Sequence, residues 1–410
     1  YCGVFPIKVN QMREVVEEIV DAGARFNYGL EAGSKAELLA VLAYNSNAGS
    51  LTILNGYKDR DYMRLALLGI QMGHRCVIVI ENFSEIRTLL EVSREMGVRP
   101  LIGLRAKLSS KSHGKWAASS GDNAKFGLTI PEILQSVKLL QVEGFDDCLK
   151  LFHFHIGSQV ADIRVFKDAI TEAARIYCKL SKMNLPLEYF DVGGGLGVDY
   201  DGSRSKNDSS RNYHISEYAA DIVQSLQQIC DDENVEHPHI VSESGRAVTA
   251  HHSCVITNVV DVIKNFKEDL PTDVCDNEHQ ILYNMRQTEK NLNAQNFQEM
   301  YHDAQAYREE CTNAFKLGIL ELEERAKTET IYWHILEKIN KLTKSANFIP
   351  QELEELDCRL AEKYLCNFSV FQSAADVWAI DQVLPIMPIS RLHEEATQNC
   401  ELVDITCDSD

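Results

Sequence analysis

From its first residues to about residue 246 the chain alternates short, strongly apolar β-rich runs with amphipathic helical stretches. The β-rich runs are GVFPIKV (3–9), RFNYGLE (25–31), LTILNG (51–56), RCVIVIE (75–81), PLIGLRA (100–106), LKLFHFHIG (149–157), EYFDVGGG (188–195) and HIVSESGR (239–246). Stretches such as QMREVVEEIVDAG (11–23) and SKAELLAVLAYN (34–45) lie between them, with apolar residues at helical spacing and, in the first, Gly at the stop. Strands this apolar are buried on both faces, and helical connections make them parallel. Eight such units predict an α/β fold, a (β/α)8 barrel; the alternative is a doubly wound open sheet.

The chain changes character after the barrel. Residues 284–342 contain one Gly and no Pro and are rich in Glu, Gln, Lys and Leu, which predicts two or three long helices in a separate bundle. After Pro350 the sequence predicts a further helix and then strands at KYLCNFSVFQ (363–372), VLPIMPI (383–389) and ELVDITC (401–407). The expected domains are a barrel over 1–268, a helical insert over 269–348 and the start of a β domain over 349–410. Tyr1 opens inside a strand-like run and Asp410 follows another, so the chain is expected to be part of a longer protein.

A net charge of -20 argues against a nucleic-acid groove, which needs clustered Lys and Arg, and suits a cationic small molecule. The twelve cysteines include no CxxC pair and read as reduced thiols. No apolar run is long enough to span a bilayer and no signal-peptide pattern is visible, so a cytoplasmic location is expected.

In a barrel, chemistry gathers at the C-terminal ends of the strands. Those ends carry Lys8, Glu31, Asn55, Glu81, Arg105, His155, Gly193 to Gly195, and Glu243 to Arg246. Loops after strands seven and eight commonly hold phosphate. Gly193, Gly194 and Gly195 let backbone N–H groups approach an anion, and Gly245-Arg246 adds a forked, charge-assisted contact. Lys8 reads either as a lysine snorkelling from a strand end or as a Schiff-base lysine, whose desolvated amine would have a depressed pKa. A phosphate site and a lysine in one barrel mouth point to pyridoxal 5′-phosphate, which also needs a charged partner at its ring nitrogen. Glu243 suits that position; its alternative is an ion pair with Arg246. His153 and His155 share one strand face, and either an imidazole stacked on the ring or a core histidine fits His155.

The motifs PIKVNQ (6–11), GLEAGSKAEL (29–38), IGLRAKLSSKSHGKW (102–116), LFHFHIGSQ (151–159), YFDVGGGLGVDYDGSRS (189–205), VSESGRAVTAHHS (241–253) and DITCDSD (404–410) together resemble the biosynthetic arginine decarboxylases. These are alanine-racemase-fold, pyridoxal-phosphate enzymes, grouped with ornithine and diaminopimelate decarboxylases. The resemblance implies that Lys8 carries the cofactor, His155 stacks on it, and Ser158, Gly193, Gly194, Gly195, Gly245 and Arg246 surround its phosphate. It implies that Glu243 binds the ring nitrogen and that Arg105 and Glu31 line the site near Lys8. The family's substrate-binding stretch falls on Phe190, Asp191, Val192, Gly193 to Gly195, Leu196, Gly197, Val198, Asp199 and Tyr200. Cys407 would be the acid that returns a proton to carbon, and Asp408 would hold the cationic end of the substrate. Both would reach the site of a neighbouring subunit, so a homodimer or larger assembly follows.

The activity implied is conversion of L-arginine to agmatine and carbon dioxide, toward putrescine and spermidine, with magnesium as a further requirement. SESGR in place of EPGR, and the helical insert, favour arginine over diaminopimelate, ornithine or lysine. A non-catalytic regulator of a decarboxylase would have lost Lys8 or Cys407, and both are present.

Overall fold

The computed structural model describes residues 1–110, 124–264, 278–346, 348–396 and 399–407. The chain divides into two compact units, one of residues 1–254 with 383–386, the other the described residues of 255–382 and 387–410.

In the first unit, eight parallel strands close into a barrel. They are β1 (Cys2–Pro6), β2 (Gly29–Ala32), β3 (Leu51–Leu54), β4 (Arg75–Ile80), β5 (Leu101–Ala106), β6 (Leu149–Phe154), β7 (Tyr189–Asp191) and β8 (His239–Glu243). β8 closes back on β1, with Val4 opposite Glu243. The helices between strands are α1 (Arg13–Gly23), α2 (Lys35–Tyr44), α3 (Arg60–Gln71), α4 (Phe83–Met96), α5 (Ile130–Glu143), α6 (Ile163–Ser181) and α7 (Ile215–Glu233), and the four-residue α8 (Arg246–Thr249) follows β8.

Local chemistry fixes the helix ends. Ser34, Asp59, Asn82 and Asp162 each accept a backbone N–H from the first turn they precede. Gly97 and Gly144 end α4 and α5 in the left-handed region, at φ 66° and 71°. The apolar helix faces pack on the outer faces of the strands in one continuous core.

The barrel interior follows the two-residue repeat of a strand. Val4, Leu51, Ile53, Val77, Val79, Leu151, Tyr189 and Val241 form its apolar floor. Further toward the C-terminal ends, the same inward positions become Glu31, Asn55, Glu81, Arg105, His153, Asp191 and Glu243, all buried. Apolar floor and polar rim therefore come from one alternation.

Two local expectations change. β1 stops at Pro6, and Lys8 sits in the 3-10 turn Ile7–Val9 beyond it. VLPIMPI forms no strand; Pro385 and Pro388 remove two ladder donors from seven residues.

In the second unit, α9 (Gln280–Asn291), α10 (Phe297–Lys316) and α11 (Leu322–Thr343) pack around Met285, Tyr301, Tyr332, Ile335 and Ile339. A three-stranded sheet joins β9 (Val259–Ile263), antiparallel to β10 (Glu362–Cys366), which runs parallel to β11 (Cys400–Val403). Since β9 precedes residue 268, this pairing links a strand before the helical stretch to strands after it. The boundary drawn at 268 lies outside the described residues, and the three-part division remains our proposal. No helix among the described residues is long and apolar enough to cross a membrane.

Candidate active site

The rim of the barrel is dense in buried charge. Lys8 Nζ lies 3.6 Å from Glu31 Oε1, with the lysine side chain 56% exposed and the glutamate fully enclosed. Asn55 Nδ2 donates to Glu243 Oε1 at 2.8 Å. His153 Nδ1 lies 2.9 Å from Asp191 Oδ2 and 3.9 Å from Glu243 Oε1. Arg105 pairs with Glu81 on the neighbouring strand end.

Burial pushes the carboxyls of Glu31, Asp191 and Glu243 up to about 7. The Lys8 charge opposes this at Glu31, while Asp191 adds to it at Glu243. Burial lowers His153 to about 4 and takes His155 well below its usual range, so both imidazoles are neutral. Burial also acts against the Lys8 ammonium, but Glu31 and then Glu243 outweigh it and its pKa is raised. The expectation of a depressed lysine is thus corrected: acidic neighbours, which the sequence did not reveal as touching, hold the proton on the free amine.

Several rim atoms have no hydrogen-bond partner: both carboxylate oxygens of Glu31, Asn55 Oδ1, Glu81 Oε2, His153 Nδ1 and Asp191 Oδ2. The His153–Asp191 approach is close but lacks hydrogen-bond alignment. Unsatisfied buried polar atoms are costly and rare, and so many in one layer mark a place built for a ligand.

The raised carboxyls carry a pH signature. A buried acid with a raised folded-state pKa loses stability as pH rises from its unfolded value through the folded one. In cofactor-free protein, Glu31→Gln is therefore expected to gain Tm relative to wild type as pH goes from about 5 to about 8. Thermal melts at both pH values check this; a difference that stays flat or shrinks contradicts the assignment.

The loops above β6, β7 and β8 interlock. Gly193 and Gly195 have φ of 64° and 110°, and a Cβ would stand 2.4 Å from Phe154 O or 2.8 Å from Gly157 O. Only glycine serves there. Gly194 N–H donates to His155 Nδ1 at 3.2 Å, which leaves the His155 proton on Nε2. A Cβ on Gly245 would meet Val9 Cγ2 at 2.5 Å, so the loop after β8 lies against the turn carrying Lys8. Arg246 begins α8, half-buried. Among the described residues no ion pair joins it to Glu243.

Gln159 escaped the sequence reading. It is buried at φ 53°, accepts Val198 N–H at 2.9 Å and donates to Val198 O at 2.7 Å and Ser210 O at 3.2 Å. It ties the β6 loop, with half-buried Ser158, to the segment after β7. Nothing in HIGSQV distinguishes it from a surface glutamine.

The stretch from Phe190 to Tyr200 divides. Phe190 stacks with Phe152 and meets Tyr177 edge-on in the outer core, where Val192 is also buried, whereas Asp191 faces the rim. Leu196 and Val198 are buried, Gly197 N–H donates to Tyr213, Asp199 accepts Ser210 Oγ at 2.7 Å, and Tyr200 N–H donates to Ser209 O. Cys407 is exposed in the second unit. Asp408 lies outside the described residues.

Residues 2–250 match the family model described as pyridoxal-dependent decarboxylase, pyridoxal binding domain. The chain belongs to the pyridoxal-dependent decarboxylases. Residues 275–357 match the arginine decarboxylase helical bundle domain. The biosynthetic arginine decarboxylase of Phocaeicola vulgatus is 48% identical over 408 residues, 99% of this chain and 65% of that protein. That of Gloeobacter violaceus is 48% identical, over 100% of this chain and 64% of that protein. The chain thus spans less than two thirds of the length of these relatives. The crystal structure of the biosynthetic arginine decarboxylase from Campylobacter jejuni is similar at a TM-score of 0.83 and 36% identity, over 99% of this chain and 65% of that one. A diaminopimelate decarboxylase from Helicobacter pylori, 22% identical with a TM-score of 0.53 over 65% of this chain and 62% of that one, shares the fold.

The residues present fit the cofactor of this decarboxylase family. The glycine cradle leaves backbone room for a phosphate, neutral His155 offers a ring face, and the buried Glu243 carboxyl, held by Asn55, can receive a cationic ring nitrogen.

Proposed function

We propose that the full-length protein decarboxylates L-arginine to agmatine and carbon dioxide, a step toward putrescine and spermidine. The observation that carries this reading is the barrel rim, where Lys8, Glu31, His155, Gly193–Gly195 and Glu243 converge. The arginine preference is supported by the match of the helical bundle and by the names of the relatives.

When bound, pyridoxal phosphate supplies an electron sink for the Cα–carboxylate bond. Lys8 would hold it covalently through Nζ. Glu243, anchored by Asn55, would hold a proton at the ring nitrogen. His155, kept neutral by burial, would offer its ring face to the cofactor without competing for charge. The Gly193–Gly195 turn, with Ser158, Gly245 and Arg246, would hold the phosphate; Gly193 N–H is already given to Asp191 Oδ1 and Gly194 N–H to His155 Nδ1. Arg105 and Glu31 would bound the site around Lys8, and Asp191 with the segment from Gly193 to Tyr200 would shape the substrate side. Cys407 of a second copy of the chain would deliver a proton to Cα, and Asp408 of that copy would hold the guanidinium, which makes the working unit a homodimer or larger.

Magnesium fits less well. Among the described residues, the cluster of His, Cys, Asp or Glu close enough to share an ion is His153, Asp191 and Glu243. It offers an imidazole beside two carboxylates, whereas magnesium favours oxygen ligands in near-octahedral array. Glu243 is also needed at the ring nitrogen.

The test is to identify the products formed by the full-length protein from arginine, ornithine, lysine and diaminopimelate. Agmatine alone is expected; putrescine, cadaverine or lysine as the main product contradicts the arginine assignment.

A further inference from the structure

Lys58 lies in the loop between β3 and α3, and its side chain is 0% exposed. Its Nζ donates to Gly56 O and lies 3.6 Å from Glu85 Oε2. Glu85 stands in the first turn of α4, also buried. Its carboxylate accepts two backbone N–H groups at 2.9 Å: that of Lys58 at Oε1, and that of Glu81 at Oε2. One carboxylate thereby splices the loop after β3 to the end of β4.

These two segments carry rim residues. The first bears Asn55, which donates to Glu243; the second bears Glu81, which pairs with Arg105. Gly56 has φ 74°, and a Cβ there would stand 2.3 Å from Gly33 O, so the same loop is pressed against the chain just beyond Glu31. Burial alone would raise the Glu81 carboxyl, but Arg105 and then Lys58 hold it below its ordinary range. Lys58, Glu85, Glu81 and Arg105 thus balance two positive charges against two negative ones. A buried ammonium is costly, and a neutral side chain could fill the same volume. Fixing charged neighbours in place is a use for it that packing does not provide.

We infer that Lys58 is a positioning residue for the cofactor layer: with Glu85 it sets where Asn55 and Glu81 stand, and through them Glu243 and Arg105. The inference rests on reading the rim as the pyridoxal phosphate site.

The test uses the full-length protein as wild type, Lys58→Met, Lys58→Gln and Glu85→Gln. Leu67→Ala, a core change on α3, serves as a control for lost stability. Three quantities are measured: cofactor affinity by absorbance titration, the absorbance maximum of bound cofactor, and Tm of the cofactor-free form. Lys58→Met and Lys58→Gln should weaken cofactor binding about 10-fold or more, as loss of an outer-layer partner does at metal sites, and should shift the band. Leu67→Ala should lower Tm while leaving affinity and band unchanged. Should Lys58→Met not fold, Lys58→Gln, which retains a donor toward Gly56 O, and Glu85→Gln carry the comparison. Wild-type affinity and band in a folded Lys58 variant overturn the inference, as does an equal loss in Leu67→Ala. A wild type that takes up no cofactor overturns the reading of the rim instead.

Discussion

Replacing Glu243 by glutamine in the full-length protein is expected to lower kcat by about 10²-fold or more while cofactor remains bound. Glu243 is buried and its carboxyl sits near 7 in the cofactor-free rim, chiefly from burial. A cationic ring nitrogen gives that carboxyl a counter-charge, and the pair then ionises together. Glutamine retains a hydrogen-bonding oxygen but cannot hold the charge. A charge-assisted hydrogen bond contributes about 1.5–3 kcal/mol, which at about 1.4 kcal/mol per tenfold is about 10- to 10²-fold, and the weakened electron sink adds to that loss. Single-turnover kinetics on variant protein with cofactor content checked by absorbance separate the two effects. Unchanged turnover would mean that Glu243 serves only to organise Asn55 and His153.

An effect at least as large is expected from Lys8→Ala and from Cys407→Ala, each nearly inactive alone. Mixed under conditions that allow subunit exchange, the two should regain activity, because a hybrid dimer contains one site with both residues intact. Cys407 is exposed, as a group that serves another copy must be; Cys254, Cys358 and Cys400 are exposed too, whereas Cys76, Cys148, Cys178, Cys230, Cys311 and Cys366 are buried. A thiol held within reach can act as a general acid. If mass spectrometry shows hybrids and activity stays absent, Cys407 acts within its own chain or has no part in the chemistry.

Much of the rim was legible because strands repeat every two residues. The C-terminal ends of the β-rich runs named Lys8, Glu31, Asn55, Glu81, Arg105, His155 and Glu243, and the closed barrel brings the strands bearing them together. What the sequence could not convey was contact. The pairing of Asn55 with Glu243 spans 188 positions, and the approach of His153 to Asp191 joins two strands. The raised Lys8 pKa depends on those neighbours and could not be read from PIKVNQ. Lys58 and Glu85 resembled the exposed charges around them in NGYKDR and NFSEIR, since burial of a charge leaves no local trace. The start of α2 was clearer, because Ser34, which opens SKAELLAVLAYN, acts on an N–H only three positions on. VLPIMPI shows the limit: β-prone side chains do not make a strand when proline removes the donors.

The central claim is that Lys8 carries the cofactor, and reductive trapping tests it most directly. Full-length protein reconstituted with pyridoxal phosphate should show a visible absorbance band that borohydride abolishes. Digestion should then place a reduced pyridoxyl group on the peptide containing Lys8, and on no other lysine, buried Lys58 included. A label found elsewhere, or none despite bound cofactor, would contradict the account.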